Sequence, residues 1–264
     1  MKTTTPITRL PFGVPPVSQR ATERQEFTVS RDRVDLWLVL LPAGSDTAAP
    51  DLKELDPAER LRVTTFTHPA DALLYVTAHV ALRRLLGRYT ATPPEELRFR
   101  REPCPRCGAA HGRPALAQRP APLHFSLSHS GEVALVGVGA VPLGVDVELL
   151  AGEETVAACS QTLHRRERSE LVEAEGEEAR RRLFGRIWTR KEAFLKGLGT
   201  GLSRSPALDY LGADASRHPD GWTILDIPVG PTHTAAVAVR GPAPSTVELH
   251  QFPASWLAGS DCAA

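Results

Sequence analysis

The chain has no surplus of either charge, because 31 Lys and Arg residues offset 31 Asp and Glu residues over 264 positions. A neutral total supplies no long-range field for nucleic acid or an anionic membrane surface, so neither is expected as a partner. Only four cysteines are present, too few to staple a chain of this length as a disulfide scaffold. Long hydrophobic runs are also missing. The most apolar stretch, residues 133–145, is interrupted by Gly137, Gly139, Pro142 and Gly144, which excludes a membrane span there. Residues 1–20 are rich in Thr and Pro and contain no apolar block of signal-peptide length. These absences lead to the expectation of a cytoplasmic protein.

What is present suits a folded chain with a substantial core. Hydrophobic residues make up 42% and charged residues 23%, ordinary values for one large domain or two modest ones. Residues 1–30 contain Pro6, Pro11, Pro15 and Pro16 without periodicity and are expected to form a flexible N-terminal arm. The run Val34–Leu41 predicts a buried strand. Asp56-Pro57-Ala58-Glu59 predicts a helix start, with Asp56 as cap, Pro57 in the first turn and Glu59 closing a capping box. A longer helix is predicted over 69–89, buried along Ala72, Val76, Val80 and Leu86. Arg83, Arg84 and Arg88 crowd its end, where cations suit the helix dipole.

The proline-rich segment 93–122 reads as a long loop with one short strand. Three β-like runs at 124–130, 132–139 and 143–149 suggest an antiparallel meander. Helices are then predicted over 163–174 and 177–198, and strands over 222–227, 234–240 and 246–252. Helices followed by strands, twice over, is the α+β pattern. No internal repeat is visible in the sequence itself.

Two motifs carry chemistry. In Gly144-Val-Asp-Val-Glu148 the period of two places Asp146 and Glu148 on the face opposite Val145 and Val147. Two close carboxylates repel each other unless a cation lies between them, and an all-oxygen ligand set favours a hard ion such as Mg²⁺. Alone, the pattern also suits a solvated strand edge. In the segment 188–199, Trp188, Glu192 and Lys196 share one helix face, while Leu183, Ile187, Phe194 and Leu198 lie toward the other side. Alone, Glu192 and Lys196 also fit a surface ion pair worth about 0.3–0.5 kcal/mol. Together the motifs offer three carboxylates and a lysine.

Two other patterns point elsewhere. Cys104-Pro-Arg-Cys107 with His111 has the spacing of half a zinc site. A complete site would draw a fourth ligand from Cys159 or Cys262, and a simple Cys-Gly turn is the favoured account. Ser128-His129-Ser130 lacks the Gly-x-Ser-x-Gly elbow of a serine hydrolase.

Gly144-Val-Asp-Val-Glu148, followed by Trp188-x-x-Lys191-Glu192-Ala193-x-x-Lys196, resembles the signature of the 4′-phosphopantetheinyl transferases, in their surfactin-synthetase-type (Sfp-type) branch. Phe125–Ser130, His111-Gly-Arg-Pro114 and the Asp56-Pro57 helix start with Arg62 and Phe66 resemble further motifs, so the likeness spans residues 56–202. It implies an α+β fold of two similar, pseudo-twofold-related halves, 31–142 and 143–264, each a small antiparallel sheet packed with helices. The second half would carry the metal site, and coenzyme A would lie in the cleft between the halves. The implied activity is transfer of the 4′-phosphopantetheine moiety of coenzyme A to a serine of an apo acyl or peptidyl carrier protein, releasing 3′,5′-ADP. Asp146, Glu148 and Glu192 would hold Mg²⁺ or Mn²⁺ and, with Lys196, form the catalytic set. Whether Glu192, Lys196 or a water is the base stays open. Lys196, Arg62, Arg113, Ser128 and His129 match positions that contact coenzyme A. Because successive strand residues face opposite ways, Ser128 and His129 are expected to need a backbone contact or a bulge.

Lys191 reads as a supporting charge. Arg165, Arg166, Arg168, Arg180, Arg181, Arg182, Arg186 and Arg190 form a candidate face for an acidic carrier, and equally suit a solvated helix face balanced by Glu167, Glu170, Glu173, Glu175, Glu177 and Glu178. Glu59, Leu74 and Ser126 depart from the family pattern and bear on the adenosine end. A monomer is expected. The alternative activity is a metal-dependent phosphodiesterase or hydrolase acting on coenzyme A or a nucleotide. A third reading is a carrier-binding protein without catalysis, against which the intact carboxylate trio and Lys196 argue.

Overall fold

A computed structural model of the chain describes residues 17–20, 27–41, 50–117 and 123–257. In chain order the elements are β1 (Val17–Arg20), β2 (Arg33–Leu40), α1 (Pro57–Val63), α2 (Pro69–Thr90), β3 (Phe99–Arg101), β4 (Pro114–Leu116), β5 (His124–Ser130), β6 (Val133–Gly139), β7 (Leu143–Leu149), α3 (Glu153–Ser160), α4 (Arg165–Glu173), α5 (Glu177–Leu198), β8 (Trp222–Asp226), β9 (His233–Arg240) and β10 (Thr246–Gln251).

One sheet has the order β1-β10-β2-β6-β5, a second has β7-β9-β8, and β3 and β4 form a separate hairpin. The same unit occurs twice. β2, the 22-residue α2 and the β5–β6 hairpin give the strand order β2-β6-β5; β7, the 22-residue α5 and the β8–β9 hairpin give β7-β9-β8. All pairings inside both units are antiparallel. The fold is therefore α+β with two similar halves, and the repeat that is invisible in the sequence lies in the connectivity.

The halves pack as four layers, helix, sheet, sheet, helix, and side-chain alternation explains why. Val34 and Leu36 of β2 meet Leu143, Val145 and Val147 of β7 between the sheets, whereas Trp37 and Val39 face α2 with Ala78, Ala81 and Leu85. A strand buried on both faces reads as the continuous apolar run seen in the sequence. A Cβ added at Gly137 of β6 would lie 2.6 Å from Val145 and 2.7 Å from Leu143, so glycine there lets the sheets close together. On the outer face of the second sheet, Ala193 and Phe194 of α5 pack on Ala236 and Ala238 of β9.

Several expectations change. The three strands at 124–149 do not form one meander. β2 and β5 already occupy both edges of β6, so β7 leaves and pairs with β9. The segment 93–117 holds two short strands, β3 and β4, where one was expected, and residues 118–122 lie outside the described residues. α2 is buried nearly all round beyond Val76 and not along one stripe, because the first sheet covers one side while Leu55 covers the side of Val76 and Val80. Arg83 is 0% exposed, so helix-end charge does not account for it. It donates to Glu59 (2.8 Å), Asp56 (3.2 Å) and the carbonyls of Pro94 and Leu97, and Arg84 is bound to Glu54 and the Trp256 carbonyl. The capping box forms as expected, with Glu59 N to Asp56 and Asp56 N to Glu59 both at 2.8 Å.

Of the arm expected at 1–30, residues 1–16 and 21–26 lie outside the described residues, while Val17–Arg20 pairs in parallel with β10. The boundary placed between 142 and 143 falls in the turn before β7. β10, from the end of the chain, returns to pair with β2 in the first sheet.

Candidate active site

The site forms where β7, α5 and β5 meet. α5 lies directly on β7 at Gly144: an added Cβ would sit 2.1 Å from the Ala193 carbonyl oxygen and 2.4 Å from the Gly197 nitrogen. That contact brings Glu192 and Lys196 to the face of β7 that carries Asp146 and Glu148. From the other side, alternate serines of β5 stitch the first sheet to the second. Ser126 Oγ accepts from Val145 N (3.1 Å), Ser128 Oγ donates to Asp146 Oδ1 (2.8 Å), and Ser130 Oγ accepts from Leu149 N (3.1 Å).

Asp146 is 1% exposed, so it does not lie on a solvated edge. Lys196 Nζ donates to Asp146 Oδ1 at 2.7 Å and to Ser128 Oγ at 2.9 Å. The other carboxylate oxygen of Asp146, Oδ2, is buried without a hydrogen-bond partner. Burial pushes Asp146 above the usual carboxylate range, against the pull of Lys196. Glu148 and Glu192 are likewise raised, first by burial and then by the negative charge of Asp146. An orphaned carboxylate oxygen flanked by two destabilised carboxylates fits a hard divalent cation, which would satisfy the oxygen and offset the repulsion.

These groups open onto a cavity of about 790 Å³ that is also lined by Arg113, Ser128 and His129. β5 pairs with β6 in unbroken register from His124 to Ser130, so the expected bulge is absent. Both Ser128 and His129 reach the cavity because β5 is an edge strand around which the cavity wraps. Burial, then the nearby His79 and Lys196, hold His129 below the ordinary histidine value. Arg113 is fixed by Glu102 (2.7 Å) and by the Gly197 carbonyl of α5 (3.0 Å). Arg62 does not line the cavity. Its guanidinium lies 5.1 Å from the Phe66 ring centroid, and Phe66 packs on Tyr75, which does line it.

Sequence reasoning missed Tyr75 and His79, which stack at 4.0 Å on the cavity wall, and also Arg100 and Arg101. The i, i+4 spacing of Tyr75 and His79 on α2 was the available signal. Glu59, read as a capping residue and as a departure from the family pattern, also accepts from His79 (2.9 Å) and Arg83 and faces the same cavity.

One cationic reading is corrected. Lys191 is 2% exposed, pairs with Glu167 at 2.8 Å and donates to the carbonyls of Pro206 and Asp209, far from a role as a supporting charge in the cavity. Within the arginine-rich stretch, Arg181 and Arg182 pair with Glu178, while Arg186 and Arg190 pair with Asp226. Those four arginines share two carboxylates, so the pairing offsets about half of their charge.

A family model described as the 4′-phosphopantetheinyl transferase superfamily matches residues 142–239, from the turn before β7 to β9. Asp146, Glu148, Glu192 and Lys196 all fall inside that match. The chain is 27% identical over 221 residues to the 4′-phosphopantetheinyl transferase HetI of Nostoc sp., covering 81% of this chain and 90% of that protein. It is 28% identical over 218 residues to the 4′-phosphopantetheinyl transferase psf-1 of Bacillus pumilus, covering 77% and 88%. It is 25% identical over 174 residues to the 4′-phosphopantetheinyl transferase Sfp of Bacillus subtilis, covering 66% and 71%.

Proposed function

We propose, from its 4′-phosphopantetheinyl transferase superfamily domain at residues 142–239, that this chain transfers 4′-phosphopantetheine from coenzyme A to a serine of an apo carrier protein. The observation that carries the reading is Asp146, buried beneath the cavity with Oδ2 unpartnered and with Glu148, Glu192 and Lys196 around it. The Sfp-type branch is part of the proposal, since Sfp is among the relatives. So are action as a monomer and a cytoplasmic setting. Among the described residues, no helix is long and apolar enough to cross a membrane.

In the proposed reaction the carrier's serine oxygen bonds to the β-phosphorus of coenzyme A. The bond from that phosphorus to the bridging oxygen breaks, and 3′,5′-ADP leaves with the electron pair. Such a transfer asks a protein chiefly for positioning and charge neutralisation. Asp146 through Oδ2, with Glu148 and Glu192, would hold Mg²⁺ or Mn²⁺, which when bound neutralises charge on the pyrophosphate oxygens. Lys196 keeps Asp146 oriented and presents a cation to the same cavity. The serine proton passes to Glu192, directly or through a water, from its place on the cavity wall. Lys196 serves poorly in that role because its ammonium already donates to two acceptors. Arg113, Ser128 and His129 line the proposed coenzyme A site, and Arg113 is held rigidly for it. Arg62 belongs to its rim through Phe66 and Tyr75.

The hydrolase alternative gains no support from the three relatives, all of which are named as transferases. The direct test is intact-mass measurement of an apo carrier incubated with the protein, coenzyme A and Mg²⁺. The carrier should gain one phosphopantetheine, and EDTA should abolish the gain. Failure with several unrelated carriers, or breakdown of coenzyme A without any carrier, would overturn the proposal.

A further inference from the structure

Outside the carboxylate site, one cluster gathers soft metal ligands. Cys104, Cys107 and His111 lie in the loop between β3 and β4, and their ligand atoms are all within 4.8 Å of one another. Cys107 Sγ is 3.0 Å from His111 Nε2. The intervening backbone is a tight knuckle. Gly108 N donates to the Cys104 carbonyl, while Cys104 N and His111 N both donate to the Ala109 carbonyl, each at 2.8 Å. Gly108 has φ +75, a conformation that a side chain would strain.

We propose that Cys104, Cys107 and His111 bind one zinc ion. Two sulfurs and an imidazole suit Zn²⁺, whereas the oxygen set at Asp146 suits a hard ion, so the two sites select different metals. The side chains of Cys107 and His111 are exposed, which leaves the fourth position open to solvent. Cys159 does not supply it, because it sits on α3 and packs with Val156 and Leu163, and Cys262 lies outside the described residues. The ion has a structural task. β3 and β4 are three residues each and pair with no other strand among the described residues; Phe99 and Leu116 anchor the base of the hairpin in the first core, whereas its tip at Cys107 and His111 is exposed. Zinc at its tip would fix the wall of the cavity formed by His111, Gly112 and Arg113.

The test uses the full chain without a histidine tag, purified under reducing conditions, with metals measured by mass spectrometry. Wild type should hold one zinc per chain. Cys107→Ser and His111→Ala should each lower zinc content about tenfold or more, while Cys159→Ser keeps it. Cobalt substitution should give a thiolate-to-metal charge-transfer band that Cys107→Ser removes. Circular dichroism of the variants separates loss of ligand from loss of fold. Zinc-free wild type after zinc loading and dialysis would overturn the proposal. So would zinc that survives Cys107→Ser but leaves with Asp146→Asn, or thiol titration showing Cys104 and Cys107 joined as a disulfide.

Discussion

Two lysines on one helix show how much of a residue's role is set by its surroundings. Lys191 and Lys196 are five positions apart, so they leave α5 in different directions. Lys191 is enclosed with Glu167, and breaking such a buried pair from one side leaves an uncompensated charge. Lys191→Ala should therefore lower stability by about 3–5 kcal/mol, as measured by denaturant unfolding. Lys196→Ala also strands a buried partner, Asp146, but burial already pushes that carboxyl toward its neutral form. The variant should therefore cost less stability than Lys191→Ala and in addition remove much of the transfer activity. Full activity in Lys196→Ala would contradict this division. The carboxylates allow a second prediction. The pKa values of Glu148 and Glu192 are raised in the folded state, so the native protein binds protons more tightly than the unfolded chain. Their contribution to stability without metal is highest below the ordinary glutamate value and falls as pH rises through the raised native values. Mg²⁺ should reverse that loss, raising the melting temperature more at pH 8 than at pH 5. Glu148→Gln should stabilise the metal-free protein at pH 8 and shrink the Mg²⁺ effect, measured by thermal unfolding. A Mg²⁺ shift that is the same at both pH values would refute the assignment.

At the scale of elements, the contact of α5 with β7 decides whether the site exists. Gly144 and Gly197 let a helix backbone rest on a strand, and the Glu192 and Lys196 side chains reach Asp146 only because of that closeness. Gly144→Ala would place a methyl group 2.1 Å from the Ala193 carbonyl oxygen, so the helix must move away. The expected cost is about 3 kcal/mol or more, beyond ordinary overpacking, with transfer activity reduced further than stability alone explains. Wild-type kinetics in this variant would show that the contact is dispensable. β5 makes the complementary contribution, since Ser126, Ser128 and Ser130 each bind β7. The alternation of that strand was legible in its sequence. The partner of its serines was not, because hydrogen-bond partners on another sheet leave no local periodicity. α2 shows the same limit: its length was plain, but Arg83 looked like an end charge until Asp56, Glu59 and Leu97 closed around it.

At the scale of the whole molecule, the site lies on the seam between two similar units and is tied from both sides. Arg113, from the first half, bonds the Gly197 carbonyl in α5. β10 leaves the second half and fills the space between β1 and β2. Val247 and Leu249 of β10 then join the core shared by both sheets. Such lacing predicts a single cooperative unfolding transition for the full chain, with the same midpoint by tryptophan fluorescence and by circular dichroism. Two separated transitions would mean that the halves are independent.

The amino-acid sequence by itself determined the local structure and the chemistry available to this protein. Periodicity marked the two long helices and most strands, the Asp56 capping box formed as read, and Asp146 with Glu148 were assigned to one face. These features depend on neighbours a few residues apart, whose geometry follows from backbone sterics and helix or strand repeat. The likeness of the two halves was already implied by the family resemblance, though by no repeat in the residues. The tertiary structure alone decided that β7 leaves the first sheet and that Arg83 and Lys191 are buried clamps. It also decided which oxygen of Asp146 faces Lys196 and which is left without a partner. Those outcomes depend on segments far apart in the chain being pressed together by burial of apolar surface, and the free energy of that packing is not encoded in any short window of residues.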